Sequence, residues 1–553
     1  MQGTKYYLKP NVQVEPLVNQ WYAWSHIVAP AQAAMNFANL HLKIMKSYVN
    51  APQVHANAVK NPALLGGPFI DYRGGRLDEI RDLIERTTTE QAHMIRFAES
   101  VKALDDLLRY EAKGFSLEPL YPKVPENLKG YVELVYDLNH NPSMRFIEGL
   151  LYRSEYYNPA LQSLALSLIE QDERPFVLST PRLPSEGVFF LRKPFAHPVI
   201  DELFKMKQTA QTFGYINELL GLEPDQEALF RSFLTEEPPP VASRFEGDGV
   251  RVRYFGHACV LVETREVSIL VDPVVSYKYD NGIERFTFVD LPEKIDYVLI
   301  THSHQDHIML ETLLQIRHKV KNVIVPRNRG GSLEDPSLKL MMQNIGFENV
   351  DDLEEMQSVE IPGGTITGLP FFGEHADLNI GSKIAHLLHL KGKRLLFAAD
   401  SNNIEPALYK HLFNALGDID VLFLGMECDG APMSWLYGSL ATRPIDRKMD
   451  QSRRFSGSDY ERGICIVNQF NCKEVYVYAM GQEPWLNYAM SIKYTEESNP
   501  IVASNKLVAD CRSRGVVAER LFGTKELIYS NEHERRGTEG AKVADPYHYA
   551  VAS

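Results

Sequence analysis

Residues 295–300 read IDYVLI, a short, β-branched and largely apolar run that predicts a strand buried on both faces. Three similar runs precede it, at 250–254, 259–263 and 267–271, separated by Gly256-His257 and a charged turn. That spacing predicts a strand meander. Further runs at 323–326, 395–399 and 421–424 predict more strands, with helical patterns at 309–317 and 406–416.

The first half of the chain has a different periodicity. In residues 31–49 the apolar positions Met35, Ala38, Leu42 and Met45 fall on a helical stripe, and 76–111 and 203–233 carry longer amphipathic patterns. Only 176–180 and 187–191 predict strands there. The change of texture falls at Glu236-Glu237-Pro238-Pro239-Pro240, where three consecutive prolines can continue neither a helix nor a sheet ladder. The expected organisation is therefore an α-rich α+β N-terminal domain over residues 1–245, an α/β domain over 246–525, and a polar tail over 526–553.

Composition narrows the class of partner. At 553 residues the chain exceeds what one core supports. A formal net charge of -14 argues against a general nucleic-acid or anionic-membrane binder. The five cysteines form no CxxC pair, as expected of reduced thiols in a cytoplasmic protein. No apolar run reaches the ~20 residues that a membrane span requires, and the first residues show no signal-peptide pattern. A cytoplasmic location and no membrane association are expected.

The chemistry is concentrated just past the 295–300 strand, in His302-Ser303-His304-Gln305-Asp306-His307. Four potential metal ligands in six residues, at a point where loops converge over a sheet, are difficult to account for as packing. His302 and His304 can converge on one ion while Asp306 and His307 turn toward a second.

HxHxDH after a buried strand resembles the metallo-β-lactamase superfamily, over roughly residues 248–520. The resemblance implies an αββα fold for the second domain and a bridging aspartate at the end of the LLFAA run, where Asp400 stands. It places the third ligand of the first metal within residues 371–377. There, adjacent Glu374 and His375 cannot be separated by spacing, since an extended segment would point them to opposite sides. The late histidine usual in dizinc members is missing, because no histidine lies between His411 and His533. The set that can be assembled is His302, His304 and Glu374 for one metal, and Asp306, His307 and Asp400 for the other. Three imidazoles with three carboxylates bias a site away from zinc and toward iron or manganese.

This combination is similar to a narrower group, the diiron β-hydroxylases of nonribosomal peptide biosynthesis. The likeness extends to residues 8–12, to Trp21-Tyr22-Ala23-Trp24 and to 61–69 (NPALLGGPF). It implies Glu374 rather than His375 as ligand, and two oxo- or hydroxo-bridged Fe ions with O2 as co-substrate. The implied reaction is monooxygenation at the β-carbon of an aminoacyl group carried as a thioester on a peptidyl carrier domain. It also implies a homodimer. No flavin, haem or iron–sulfur motif is visible, so a separate reductase or other external electron donor is expected.

Glu427, just past the 421–424 run, is a candidate catalytic or outer-shell carboxylate, as Asp400 is a catalytic bridging one. His257 reads as a buried hydrogen-bonded histidine, His386 and His389 as strand residues on opposite faces, and Trp21 and Trp24 as core. Asp272-Pro273 is expected to hold loop geometry near the metals. Residues 443–454 are locally basic, a solvated segment or else a docking patch for an acidic carrier. The alternative function is a dizinc hydrolase, a lactonase or phosphodiesterase attacking with a bridging hydroxide. A flavodiiron reductase fits less well, since its motif resembles HxExD, and a non-catalytic scaffold fits poorly with an intact ligand set.

Overall fold

A computed structural model describes residues 4–240 and 242–530. The second half of the chain is built on two seven-stranded sheets. In the first, Val350–Leu353, Val320–Pro326, Ile295–Leu299 and Ser268–Val271 run parallel. Cys259–Glu263, Val250–Gly256 and Lys525–Tyr529 then extend the sheet antiparallel. The second sheet begins with Ser358–Ile361, Gly364–Leu369, Ala385–Leu390 and Lys393–Phe397 in antiparallel order. It ends with Val421–Gly425, Glu474–Tyr478 and Val517–Arg520 in parallel.

The period of two along each strand sorts side chains into layers. Val252, Ile269, Leu299 and Ile324 face Leu388, Phe397, Phe423 and Tyr476 in the layer between the sheets. The alternate residues Leu270, Val298 and Val323 face outward, into a core shared with the helices Leu310–Ile316 and Leu338–Asn344. The outer face of the second sheet is covered by Ala407–Leu416, Tyr460–Gln469 and Asn499–Ser513. This is the expected αββα arrangement. The strand Lys525–Tyr529 keeps the chain in the first sheet beyond residue 525, so the expected tail does not start at 526; residues 531–553 lie outside those described.

The N-terminal half mixes helices with small antiparallel sheets. Val12–Val18 pairs with Gln162–Leu168 across about 150 residues of chain, a pairing that local pattern could not reveal. The expected helix at 76–111 is two, Leu77–Glu90 and Ala92–Glu111, broken at Gln91. The expected 203–233 helix is three short ones, Pro198–Lys205, Phe213–Leu220 and Glu227–Ser232, the second stopped by left-handed Gly221. Residues 176–180 form turns rather than a strand. Trp21 is core, stacked on His41 at 3.8 Å.

The two halves share one hydrophobic core, which runs from Val14 and Phe97 to Leu313 and Trp485. A buried polar cluster crosses the same seam. Glu311, on the helix that follows the HxHxDH motif, accepts hydrogen bonds from Tyr22 at 2.7 Å, Tyr277 at 2.8 Å and Tyr488 at 3.1 Å. Arg174 donates to both of its oxygens at 3.1 Å. Among the described residues no helix is long and apolar enough to cross a membrane.

Candidate metal centre

The strand Ile295–Leu299 ends under a loop fixed by Asp272. Thr301 donates to Asp272 twice, through its backbone N–H at 2.7 Å and its hydroxyl at 2.6 Å. The second carboxylate oxygen also lies 2.8 Å from His307 Nδ1. This turns Nε2 of His307 inward. A carboxylate behind an imidazole sets its tautomer and orientation and raises its basicity.

Asp306 is set in the same way by His257. Gly481 N–H donates to His257 Nδ1 at 3.2 Å, which leaves the ring proton on Nε2, 3.0 Å from Asp306 Oδ2. His257 is thus the buried, hydrogen-bonded histidine expected, and its geometry is that of a donor to Asp306. Glu483, which the sequence reading missed, accepts from the His257 backbone N–H at 3.1 Å and from the Tyr254 hydroxyl. Nothing in its local sequence marks it.

Among the described residues, the potential ligand atoms gather in three overlapping groups, one of which is His257, Asp306 and His307. His302, His304 and Glu374 can offer ligand atoms within 4.8 Å of one another, as can His302, His307 and Asp400. Glu374 Oε1 is 2.6 Å from His304 Nδ1, and Asp400 Oδ2 is 3.1 Å from His307 Nε2. Asp306 Oδ2 lies 3.5 Å from His307 Nε2. Tyr437, also missed, contacts the far side of His304, its hydroxyl 3.2 Å from Nε2.

Glu374 and His375 do not alternate as an extended segment would. Glu374, Ala376 and Asp377 all have positive φ, of 63°, 51° and 58°. Both side chains are buried, and the His375 ring stacks on that of His304 at 4.6 Å. Gly373 makes the bend possible: at φ 76° it passes so close to Asn402 that a Cβ would lie 2.3 Å from that side chain. Asp272, His257, Ala399 and Ala479, at or beside the cluster, have left-handed backbone as well. Strained backbone of this kind persists where the surroundings over-determine it, as at functional sites.

The charge balance around these groups is tight. Burial alone would raise Glu374, but His304 and His375 outweigh it and hold the carboxyl at about 2. Burial raises Asp400, with His307 opposing. Burial lowers His302 well below its ordinary value, helped by His307 and His304. Against burial, Asp400, Asp306 and Asp272 raise His307. Meanwhile Nε2 of His302 and of His307, Oε2 of Glu374 and Oδ1 of Asp400 are buried without a hydrogen-bond partner. Buried orphan lone pairs converging from several elements are costly unless cations satisfy them. The donor set fits two metal ions.

A cavity of about 320 Å³ opens beside the cluster. Glu427 lines it near Asp400, and burial together with Asp429 and Asp400 pushes its carboxyl up to about 8. Leu65 and Gly66 of the N-terminal half form part of the wall. The other histidines stand apart: His386 is buried with Nε2 2.9 Å from the Ile300 carbonyl, while His389 is exposed. In the basic segment, Arg453 donates to Ala376 O at 2.8 Å and Arg454 to Gly430 O at 2.7 Å. These two arginines brace the site's loops.

Fold and site together define a metallo-β-lactamase-fold protein with a dinuclear, carboxylate-rich centre. Residues 268–435 match the β-lactamase superfamily domain, and residues 7–238 match the diiron non-heme β-hydroxylase N-terminal domain. The chain is 38% identical to the 4-amino-L-phenylalanyl-[CmlP-peptidyl-carrier-protein] 3-hydroxylase of Streptomyces venezuelae, over 95% of this chain and 99% of that one. It superimposes on the crystal structure of CmlA, a diiron β-hydroxylase from S. venezuelae, with a TM-score of 0.89 and 37% identity, covering 96% of this chain and 100% of the other. A point mutant of the CmlA β-hydroxylase gives 0.87 at 37% identity, covering 95% and 100%. The chain belongs to the diiron β-hydroxylase family and is an iron-dependent hydroxylase.

Proposed function

We propose that this protein hydroxylates the β-carbon of an aminoacyl group held as a thioester on a peptidyl carrier domain. O2 is the co-substrate, a separate reductase or other donor supplies the electrons, and the reaction takes place in the cytoplasm on a homodimer. The observation that carries this reading is the pairing of Glu374 with His304 on a domain whose N-terminal partner is that of the diiron β-hydroxylases. His302, His304 and Glu374 would hold one iron, and Asp306, His307 and Asp400 the other. When bound, the iron pair supplies redox chemistry for O2 that no side chain here offers.

The chain's own residues set the conditions for that chemistry. Asp272 and His257 orient a ligand each, and Tyr437 restrains His304. The cavity offers an aminoacyl-sized space, with Trp435, Leu436 and Met490 among its lining. Glu427 faces the cavity near Asp400, where a carboxyl can take or return a proton. Overall, the β C–H becomes C–OH, the second oxygen atom leaves as water, and two electrons and two protons are consumed.

The test is metal content and mass spectrometry. Iron-loaded, reduced protein given O2 and an aminoacyl-loaded carrier should hold about two irons per chain and add one oxygen atom to the acyl group. Two tightly held zincs and hydrolysis without O2 consumption would establish the dizinc hydrolase instead.

A further inference from the structure

A second hollow, of about 310 Å³, lies against the metal cavity. The two share Leu65, Gly66 and Ser491 in their walls. That common sill is narrow because the backbone of the N-terminal half comes close to the metal domain there. Trp435 Nε1 donates to the Gly66 carbonyl at 3.0 Å, and a Cβ on Gly66 would sit 3.0 Å from the same nitrogen and 3.5 Å from Ser491 Cβ. Gly66 has φ 72°, so both its conformation and its surroundings favour glycine.

Beyond the sill, the hollow runs between the 171–176 segment and residues 487–493. Phe176, stacked at 5.9 Å on Trp435, lies on one side. Arg174 is spoken for by Glu311 and Glu15 and packs 3.3 Å from the Tyr488 ring centre. Asn487 offers a neutral polar group along the wall, while the Ser179 hydroxyl is already given to the Phe69 carbonyl at 2.9 Å. Arg73 and Lys493 are the exposed cations of the lining. Asp71 lines it too, and Glu173 lies 3.9 Å from Lys493. The hollow is therefore not uniformly basic, and suits a single anion on a neutral chain better than a polyanion.

We propose that this second hollow is the passage for the phosphopantetheinyl arm of the carrier. The inference rests on the proposed carrier-tethered substrate and deepens it. The thioester end passes over the sill that Gly66 and Ser491 form, so that the aminoacyl group enters the metal cavity. The amide-bearing chain lies along Asn487, and the phosphate is met by Arg73 and Lys493. A free amino acid would need only the inner cavity. A flexible linear tether needs a second chamber adjoining the first, ending in donors for one phosphate.

The experiment uses iron-loaded full-length protein and two probes without an acyl group, 4′-phosphopantetheine and pantetheine. Calorimetry should give about tenfold tighter binding for the phosphorylated probe, and the double substitution Arg73→Gln with Lys493→Gln should abolish that preference. Equal binding of the two probes, or a preference that survives the double substitution, overturns the passage. With a loaded carrier, the same variant should raise KM about tenfold with a much smaller change in kcat. If wild-type protein hydroxylates a loaded carrier but the variant's KM is unchanged, only the passage falls. If wild-type protein leaves the carrier-bound acyl group unaltered, the substrate reading falls, while the two probes still decide whether the hollow takes phosphopantetheine.

Discussion

Oδ2 of Asp272 lies 2.8 Å from His307 Nδ1 and also accepts the Thr301 hydroxyl at 2.6 Å. One fully buried carboxylate thus ties the end of Ser268–Val271 to both ends of the HxHxDH loop. Asp272→Asn keeps the shape but replaces a charged acceptor by an amide. Iron affinity at the His307 side should fall by about 10- to 100-fold. Metal titration checks this, and retention of both irons at wild-type affinity would refute the orienting role.

Glu374 and His375 separate by substitution. Glu374→Ala should cost an iron and abolish hydroxylation, because it removes an inward oxygen that nothing else replaces. His375→Phe should keep both irons, since a ring of similar size preserves the stack on His304. Metal analysis of the two variants decides it. The opposite pattern would make His375 the ligand.

The seam between the two halves depends on Glu311. Removing it leaves the Arg174 guanidinium buried with only Glu15 as a carboxylate partner. Breaking a buried pair by removing one partner costs about 3–5 kcal/mol. Glu311→Ala should therefore lower the unfolding midpoint markedly. In a double-mutant cycle with Arg174→Met, the two losses should be clearly non-additive.

Lys207 gives a pH signature away from the metals. Its ammonium nitrogen is enclosed without a hydrogen-bond partner, 4.7 Å from the Phe288 ring centre and 5.8 Å from that of Tyr277. Burial, with Lys319 nearby, brings it down to about 7. In the unfolded chain a lysine titrates near ~10.4. Between about pH 7 and 10 the unfolded state then binds more protons, so this residue makes stability rise with pH across that window, and its full cost is felt below pH 7. Lys207→Met should stabilise the protein by about 1–3 kcal/mol at pH 7 and flatten that rise. Denaturation at several pH values measures both effects.

Much of this molecule could be read from the order of its residues. The buried strand at 295–299, the HxHxDH loop after it and the strand ends carrying Asp400 and Glu427 are local events, in which hydrophobic period and motif spacing are set within a few residues. Tertiary structure decided what depends on distant chain. Glu374 and His375 both turn inward because a run of left-handed residues, opened by Gly373 against Asn402, replaces the extended segment that alternation assumes. Tyr437 reaches His304 and His257 reaches Asp306 from distant parts of the chain, Glu483 bonds the His257 backbone N–H across more than 220 residues, and no local pattern distinguishes the three from other buried polar groups. The long amphipathic patterns of the first half broke into shorter helices at Gln91 and at left-handed Gly221, breaks that a continuing hydrophobic period does not reveal. Periodicity reports which face of a segment is buried; where the segment bends, and against what, is decided by the rest of the fold.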